Sequence, residues 1–329
     1  MKAAVEYERL PSPSVEPGID VPAAVLEWTD RWIGSAALRD LLSVFGGPAP
    51  VASGGSLDEL IDFSAKHWDF RGGRERNLAR SIGFDSSTTA QVLASAEALG
   101  LRTPLPPRYR EYDYVLILGG LVRACVFRPR FAATLISSGM QVREVIALGG
   151  FRPLSGDEPT LAAAGGLGTV DNEIVAMEVG LQRAFNLQDA ISKDGLTDAT
   201  SPNSSWLLKT YHGNENLVIR LLAAPSGEPA ARRANTADTY EFWAQSLAQV
   251  SADDRILIVT SSIYVPYQGL EAIRMLARRY GCGVETVGID SSEQDLPALR
   301  QMFAPSNYLQ EVNSTLRSIQ RFRALLQSS

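Results

Sequence analysis

The stretch DYVLILGGLVRACVFRPR, residues 113–130, contains an apolar run that ends at two glycines and is followed by arginines. A continuous apolar run before a glycine turn is typical of a buried strand in a parallel sheet. Glycines allow a tight turn and a close approach of the backbone to a ligand, and the arginine guanidinium matches phosphate or carboxylate oxygens. The stretch therefore predicts a strand whose end, at Gly119, Gly120 and Arg123, borders a crevice for an anionic ligand.

The pattern of apolar run, glycine turn and helix recurs through the rest of the chain. The predicted strands are Tyr114–Leu118, Val142–Leu148, Leu217–Ala223, Ile256–Thr260 and Val284–Ile289. The predicted helices between them are Arg128–Ser138, Thr169–Phe185, Thr236–Val250 and Pro266–Tyr280. Parallel strands need crossover connections, so this alternation predicts an α/β fold, a Rossmann-like parallel sheet with helices on both faces.

The first part of the chain has a different pattern, with apolar residues at helical spacing and no predicted strand. The predicted helices are Pro22–Ile33, Ala36–Phe45, Leu57–Trp68, Arg74–Ile82 and Thr88–Leu99. The proline-rich segment RTPLPPRYREYD then predicts a linker. We expect an all-helical N-terminal layer at residues 1–105, followed by the α/β domain at residues 106–329.

Two further segments of the α/β domain stand apart from the alternating pattern. Residues 188–216 are rich in Ser, Asn, Asp and Thr, which predicts an insertion. It is either a lid over the strand ends or a surface excursion. Asn307–Leu326 predicts a C-terminal helix that packs back on the core.

Composition excludes several classes of protein. The 329 residues are 45% hydrophobic and 21% charged, with a net charge of -6, which argues against a nucleic-acid-binding surface. Charges at Glu6, Glu8 and Arg9 interrupt any secretory signal, and no apolar run is long enough to cross a bilayer, so we expect a cytoplasmic protein without a membrane partner. The two cysteines, Cys125 and Cys282, cannot form a four-cysteine zinc site, and we expect no metal.

Ligands of parallel sheets bind at the carboxyl ends of the strands, where helix N-termini and turn amides converge. The residues that such a site would draw from the strand ends are Gly119, Gly120, Arg123, Gly149, Gly150, Arg152, Thr260 and Ser261. Any one of these groups also fits an ordinary strand-ending turn with solvent-facing arginines. Their recurrence at several strand ends favours a site for a small anionic ligand.

Two predicted helices begin with residues that suit a ligand site. Glu173 lies near the start of its helix, where it could act as a general base, bind a ribose hydroxyl or simply complement the helix dipole. Asn235 suits a helix N-cap, and Thr236 can hydrogen-bond a ligand. Capping alone would also explain Asn235.

Five segments in order resemble the YdcF-like, SanA-like group of bacterial domains of unassigned activity. They are VLILGGLVRA, VIALGGFRP, DNEIVAME, ANTADTYEFW and ILIVTSS, within residues 113–290. The resemblance implies a Rossmann-like fold, S-adenosylmethionine as a cofactor, and a pocket at Gly119, Gly120, Gly149, Gly150, Glu173, Asn235, Thr236 and Thr260. The family pattern has a histidine and an arginine after the Val-Thr-Ser strand end. This chain instead reads SIYVPYQ, which places Tyr264 and Tyr267 at about those positions and puts a histidine-based mechanism in doubt.

A second arginine-rich stretch, HWDFRGGRERN, covers residues 67–77 of the helical region. Its arginines beside a Gly-Gly turn could reach over the crevice and bind a second anionic group. A solvated helix start with charge pairs at i, i+4 spacing explains them equally well. Farther along, Asp157 and Glu158 could hold a divalent cation, although acidic pairs are common in loops.

These features predict a small-molecule enzyme that acts on or with an anionic, phosphorylated or nucleotide-type ligand. Glu173 and Tyr264 are the candidate catalytic residues, and S-adenosylmethionine-dependent group transfer is one reaction that the resemblance implies. A non-catalytic ligand sensor or assembly factor is the alternative, and a phosphate-ester hydrolase is a further one. The glycines do not follow the GxGxxG spacing, which counts against ordinary NAD binding. The sequence indicates no oligomeric state.

Overall fold

The computed structural model describes residues 6–49, 55–73, 79–290, 292 and 294–327, and it has the predicted α/β fold. A seven-stranded, mostly parallel sheet runs through the second part of the chain. Its strands are β1 (Glu111–Ile117), β2 (Gln141–Gly149), β3 (Ser192–Leu196), β4 (Trp206–His212), β5 (Val218–Ala223), β6 (Arg255–Ser261) and β7 (Gly283–Ile289). An N-terminal helical region precedes the sheet.

The strand order is β3-β4-β5-β2-β1-β6-β7. The strands from β5 to β7 pair in parallel, in the order of the Rossmann fold, whereas β3 and β4 form an antiparallel edge. From β1 the chain moves outward to β2 and then β5, and it returns to place β6 on the other side of β1. The direction of winding therefore reverses between β1 and β6, which is where ligands bind in such sheets.

Helices cover both faces of the sheet. They are α5 (Val122–Ser137), α6 (Glu158–Ala164), α7 (Glu173–Phe185), α8 (Thr236–Ser246), α9 (Val265–Ala272), α10 (Arg278–Tyr280) and α11 (Pro305–Gln327), and a π-helical segment joins α9 to α10. Apolar residues of α5, α6 and α7 share one core with one face of the sheet, and those of α8, α9 and α11 share another core with the opposite face. No helix in the described ranges is both long and apolar enough to cross a membrane.

Helix α5 begins six residues earlier than the sequence indicates, and Pro129 lies inside it rather than in its first turn. A proline inside a helix removes the hydrogen bond to the carbonyl four residues earlier, here that of Cys125. Helix α7 approaches this carbonyl closely, because a Cβ added at Gly180 would lie 1.9 Å from it. The early start brings the N-terminus of α5 directly to the end of β1.

The N-terminal helices are α1 (Val21–Ile33), α2 (Ala36–Val44), α3 (Leu57–Trp68) and α4 (Ser86–Ala98). Their apolar side chains, including the buried Trp32 and Trp68, belong to the same core as α8, α9 and α11. Ahead of α1, Val15 exchanges two backbone hydrogen bonds with Val284 of β7, at 2.9 and 2.8 Å. Of the predicted helix at Arg74–Ile82, residues 74–78 lie outside the described residues, and residues 79–82 are not helical.

The predicted insertion at residues 188–216 contains the antiparallel strands β3 and β4. Strand β4 pairs with β5, so the insertion extends the sheet at one edge. The connection between β3 and β4 runs from residue 197 to residue 205 and turns back toward the carboxyl end of β5, since Leu207 pairs with Ala223. The insertion thus adds a hairpin to the sheet and carries its connecting loop to the strand ends.

Candidate anion-binding site

A cavity of about 460 Å³ lies at the carboxyl ends of the parallel strands. Eleven of the thirteen residues predicted from the sequence line it: Gly119, Gly120, Arg123, Gly149, Gly150, Arg152, Glu173, Asn235, Thr236, Ser261 and Tyr264. They come from the ends of β1, β2 and β6 and from the starts of α5, α7, α8 and α9. The reversal of winding between β1 and β6 therefore coincides with the cavity.

The other two predicted residues, Thr260 and Tyr267, do not line the cavity. Thr260 is fully buried within β6, and its hydroxyl donates a hydrogen bond to the side-chain oxygen of Gln268. Gln268 itself lines the cavity. Thr260 can thus influence a ligand only through Gln268, whereas Tyr267 lies half-buried on α9.

Positive charge is concentrated at the cavity. Five arginines line it: Arg71, Arg123, Arg128, Arg152 and Arg233. The only lining carboxylate in the described part of the chain is that of Glu173, so the lining residues carry a net charge of +4, five minus one. The whole chain carries -6, and this local reversal of sign makes the cavity suited to an anion.

Arg152 bonds two acidic side chains, that of Glu173 on the cavity wall and that of Glu158 behind it. Its guanidinium donates to both oxygens of the Glu158 carboxylate, at 2.6 and 2.8 Å, and to the Glu173 carboxylate at 3.1 Å. The side chains of Arg152, Glu158 and Glu173 are 7%, 1% and 13% exposed. Burial alone would lower the pKa of Arg152, but the two carboxylates outweigh burial and raise it. Arg152 is therefore positioned as the buried partner of these carboxylates.

Glu173 is the first residue of α7, whose N-cap is Asn172. One carboxylate oxygen bonds Arg152, and the other lies against the backbone of Gly119, where an added Cβ would be 2.2 Å away. Burial raises the pKa of the Glu173 carboxyl, and the charge of Arg152 offsets only part of this rise. A buried carboxyl with a raised pKa on a cavity wall is suited to proton transfer or to accepting a hydrogen bond from a ligand hydroxyl.

Two more arginines lie beside the end of β1. Arg128 is 2% exposed and donates to the carbonyl oxygen of Leu118 at 2.8 Å and to the hydroxyl of Ser261 at 3.2 Å, which ties β1 to β6. Arg123 lies 3.7 Å from the exposed carboxylate of Asp157, and its Nε is buried without a hydrogen-bond partner. Arg123 is thus only weakly engaged by the protein.

Backbone amides at the start of α5 also face the site. The N–H of Val122 donates to Glu158 at 3.1 Å, whereas the structure describes no acceptor for the N–H groups of Gly120, Leu121 and Arg123. Unsatisfied amides at a helix N-terminus favour an anion. Beside Arg123 they form the part of the cavity best suited to phosphate or carboxylate oxygens.

The start of α8 differs, because its first amides are already satisfied. The side-chain oxygen of Asn235 accepts from the N–H groups of Ala237 and Asp238, at 2.8 and 3.1 Å. Asp238 in turn accepts from the N–H of Asn235 at 2.8 Å, which completes a capping box. Asn235 therefore caps the helix and lines the cavity at once, while Thr236 is exposed beside it.

Several lining residues are absent from the sequence-based prediction of the site. They include Arg128, Arg233, Thr239, Gln268, Gln301 and three residues of the β3–β4 connection, Pro202, Asn203 and Ser205. A helix that begins directly after the Gly-Gly turn would indicate Arg128, because Arg128 lies less than two turns from the start of α5. The β3–β4 residues carry no local signal, because only the pairing of β4 with β5 brings them to the strand ends.

The two further ligand sites named from the sequence differ in outcome. Arg71, from the arginine-rich stretch at residues 67–77, lines the cavity, whereas Arg74 and Arg76 lie outside the described residues. Glu158 is occupied by Arg152, Ser155 and the N–H of Val122, which favours a structural role over a cation site at Asp157 and Glu158. His67 stacks on Phe63, with ring centroids 4.5 Å apart. Over the described residues, no group of three or more His, Cys, Asp or Glu side chains could hold a metal ion.

The raised pKa of Glu173 predicts a pH dependence of anion binding. As the pH rises through this pKa, the carboxyl ionises and adds a negative charge to the cavity wall, so the affinity for an anion should fall. We expect sulfate, which does not titrate in this range, to bind more tightly at about pH 5 than at about pH 8. Calorimetric titration of the Glu173→Gln variant should show a clearly smaller pH dependence. If the sulfate affinity of Glu173→Gln depends on pH as strongly as that of the wild type, a group other than Glu173 causes the pH dependence.

The fold and the cavity define an α/β protein with the Rossmann strand order and an arginine-lined site at the strand ends. A family model described as the Rv3785 N-terminal domain matches residues 16–100. The uncharacterized protein Rv3785 of Mycobacterium tuberculosis and the uncharacterized protein Mb3814 of Mycobacterium bovis are each 30% identical over 340 aligned positions, covering 95% of this chain and 93% of theirs. The chain belongs to the Rv3785 family. No solved structure gives a significant match.

Proposed function

We propose that this protein is a small-molecule enzyme that binds an anionic, phosphorylated or nucleotide-type ligand at the carboxyl ends of its parallel strands. The observation that carries the proposal is the cavity of about 460 Å³ with five arginines and one carboxylate on its walls. Its size falls within the range of about 300–1,000 Å³ that is typical of small-molecule sites. The amides at the start of α5 and Arg123 bind the anionic group.

Glu173 is the proposed general acid or base, or the acceptor for a ligand hydroxyl. Its location beside Gly119 places the carboxylate next to the anion-binding amides, and Arg152 fixes its orientation. Tyr264 lines the same cavity and is the second proposed catalytic group. Through the resemblance to the YdcF-like group, S-adenosylmethionine is the cofactor to test first.

A thermal-shift screen tests this proposal. Nucleotides, sugar phosphates, S-adenosylmethionine and inorganic phosphate are added to the wild-type protein and to Arg123→Ala. A ligand present at about 100 times its dissociation constant adds about 2.7 kcal/mol, so a true ligand should raise the Tm by several degrees. We expect a smaller shift in Arg123→Ala. If no anion shifts the wild-type Tm, the proposal fails.

A non-catalytic ligand sensor is the second candidate. The described residues that line the cavity include no His, Cys, Lys or Asp, so they offer few nucleophiles and proton-transfer groups. Incubation with a hit from the screen, followed by chromatographic analysis of the ligand, separates the two candidates. Conversion of the ligand that is lost in Glu173→Gln supports the enzyme, and binding without conversion supports the sensor.

A further inference from the structure

Phe151 is an exposed aromatic residue on the wall of the cavity. The described part of the chain exposes nine large hydrophobic residues: Ile19, Val44, Ile82, Leu105, Tyr109, Phe151, Ile191, Leu196 and Met302. Of these nine, only Phe151 lines the cavity. A single exposed hydrophobic residue is ordinary on a protein surface, whereas one on the wall of a ligand cavity is available to contact the ligand.

The backbone on both sides of Phe151 is bonded to the start of α7. The carbonyl oxygen of Gly150 accepts from the N–H of Ile174 at 3.0 Å. The carbonyl oxygen of Arg152 accepts from the N–H of Glu173 at 2.9 Å. Phe151 is therefore carried on a fixed backbone, and a ligand that contacts its ring does not have to order this segment first.

The side chains of Phe151 and Arg152 differ in their surroundings, although the two residues are neighbours. Arg152 is 6% exposed, and its guanidinium bonds Glu158, Glu173 and the carbonyl oxygen of Gly120. Phe151 is 40% exposed. The arginine is thus part of the buried network behind the cavity, whereas the phenyl ring lies on the solvent-accessible part of the cavity wall.

The two aromatic residues that line the cavity, Phe151 and Tyr264, differ in how their rings are packed. The ring of Tyr264 packs edge-on against that of Phe303, with centroids 6.3 Å apart, and the guanidinium carbon of Arg128 lies 5.9 Å from its centroid. Over the described residues, no aromatic ring contacts that of Phe151. The Phe151 ring is therefore the aromatic surface of the cavity that is available to a planar group of the ligand.

Phe151 lies close in the fold to the amides that are proposed to bind the anion. Strands β1 and β2 are paired, and a Cβ added at Gly119, after β1, would lie 3.2 Å from the Cα of Gly149, the last residue of β2. Phe151 follows Gly149 by two residues, and the anion-binding amides begin at Gly120. The Glu173 carboxylate also lies against Gly119. An anion site, a carboxylate and an aromatic ring thus surround the ends of these two strands.

We propose that the ligand is a nucleoside phosphate whose base stacks on Phe151. The phosphate binds at the start of α5, and a ribose hydroxyl donates a hydrogen bond to the Glu173 carboxylate. A base suits the exposed ring because every base has a planar π-face that stacks on an aromatic side chain. This inference rests on the proposed function, because the same anion site binds the phosphate, and it narrows the ligand to one chemical class.

Isothermal titration with adenosine 5′-monophosphate and ribose 5-phosphate tests the inference. Both probes carry a ribose with one phosphate, and only the first carries a base. We expect the wild-type protein to bind adenosine 5′-monophosphate at least about tenfold more tightly, as one stacked base provides. Phe151→Leu keeps an apolar side chain but removes the ring. It should reduce this preference to less than about threefold and leave the affinity for ribose 5-phosphate within about twofold.

Two further variants are the matched controls. Phe151→Tyr keeps the ring and should keep the preference for adenosine 5′-monophosphate. Tyr109→Leu removes a ring that is 36% exposed and lies just before the amino end of β1, and it should change neither affinity. Because Phe151 is exposed, both of its variants should melt at a Tm close to that of the wild type.

The outcomes separate this inference from the proposed function. If both probes bind the wild type equally and Arg123→Gln weakens both, the stacked base is refuted and the anion site stands. The stacked base is also refuted if Phe151→Leu keeps the full preference, or if it weakens both probes by the same factor. If neither probe binds the wild type, the nucleoside phosphate is refuted, and the thermal-shift screen decides the proposed function separately.

Discussion

Replacing Arg152 with alanine should destabilise the protein by about 3–5 kcal/mol, because it leaves the buried Glu158 carboxylate without its cationic partner. The Glu158 side chain is 1% exposed, and Arg152 donates both of the short side-chain hydrogen bonds that its carboxylate accepts. Urea unfolding followed by circular dichroism measures the change in the free energy of unfolding.

Arg123→Ala is the matched control for Arg152→Ala. Arg123 lies on the same cavity, but its side chain is 19% exposed and its partner Asp157 is 57% exposed. Its removal should change the free energy of unfolding by less than about 1 kcal/mol while weakening anion binding. Equal stability of the two variants would show that the Arg152–Glu158 pair is not the buried interaction described here.

The difference between wild type and Arg152→Ala should also depend on pH. The pKa of Glu158 is lowered from its ordinary value of 4.5, because Arg152 and the backbone donors outweigh the effect of burial. A carboxyl with a lowered pKa contributes stability that is present above its unfolded pKa and lost as the pH falls through its folded pKa. Without Arg152 the carboxyl can accept a proton at mildly acid pH. The stability difference should therefore shrink as the pH falls from mildly acid values toward the lowered pKa of Glu158 in the wild type.

Gly119→Ala should both destabilise the fold and abolish anion binding. A Cβ at this position would lie 2.2 Å from the Glu173 carboxylate and 2.6 Å from the carbonyl oxygen of Leu148. The carboxylate is held by Arg152 and the carbonyl is backbone of β2, so neither can move without a wider shift. We expect a loss of about 1–3 kcal/mol in the free energy of unfolding, and at least about a tenfold loss in affinity for inorganic phosphate.

Gly150→Ala is the control for this prediction, since Gly150 also lines the cavity. Apart from the two neighbouring residues of the chain, no atom lies within 4 Å of a Cβ added there, and the backbone is not in the left-handed region. The free energy of unfolding of Gly150→Ala should stay close to that of the wild type. If Gly119→Ala is as stable as Gly150→Ala and binds phosphate normally, the close contact of Gly119 with Glu173 does not shape the site.

The parallel strands and the strand-end location of the cavity could be predicted from the sequence. Long apolar runs such as ILIVT of β6 are buried on both faces. Because both faces are buried, every residue of the run is apolar or small, and this pattern identifies the strand. Once the strands are assigned, the geometry of parallel sheets brings their carboxyl ends together. The glycine turns after β1 and β2 then indicate which residues meet there.

The antiparallel edge of the sheet could not be predicted from local sequence. All five residues of β3 are exposed, so its sequence, SKDGL, carries no apolar alternation. The segment forms a strand because it pairs with β4, and β4 is held in the sheet by its pairing with β5. Pairing over this distance leaves no periodic signal in the segment itself.

The side chains that pair with a charged residue could not be predicted from the sequence either. Arg152 was predicted as a ligand-binding residue, and the sequence does not reveal that Glu158 and Glu173 both lie within hydrogen-bond distance of it. The start of α5 was misplaced because a proline is favoured in the first turn of a helix and disfavoured inside one. Here Pro129 lies inside α5, and Gly180 of α7 packs against the Cys125 carbonyl, which the proline leaves without its helical hydrogen bond.

The central claim is that the cavity at the strand ends binds a small anion, and a crystal soaked in sodium tungstate tests it most directly. Tungstate is a phosphate-like oxyanion whose position can be found by anomalous scattering. We expect the strongest anomalous peak inside the cavity, within hydrogen-bond distance of the Gly120 and Leu121 amides and of Arg123. Peaks at the protein surface together with an empty cavity would contradict the account.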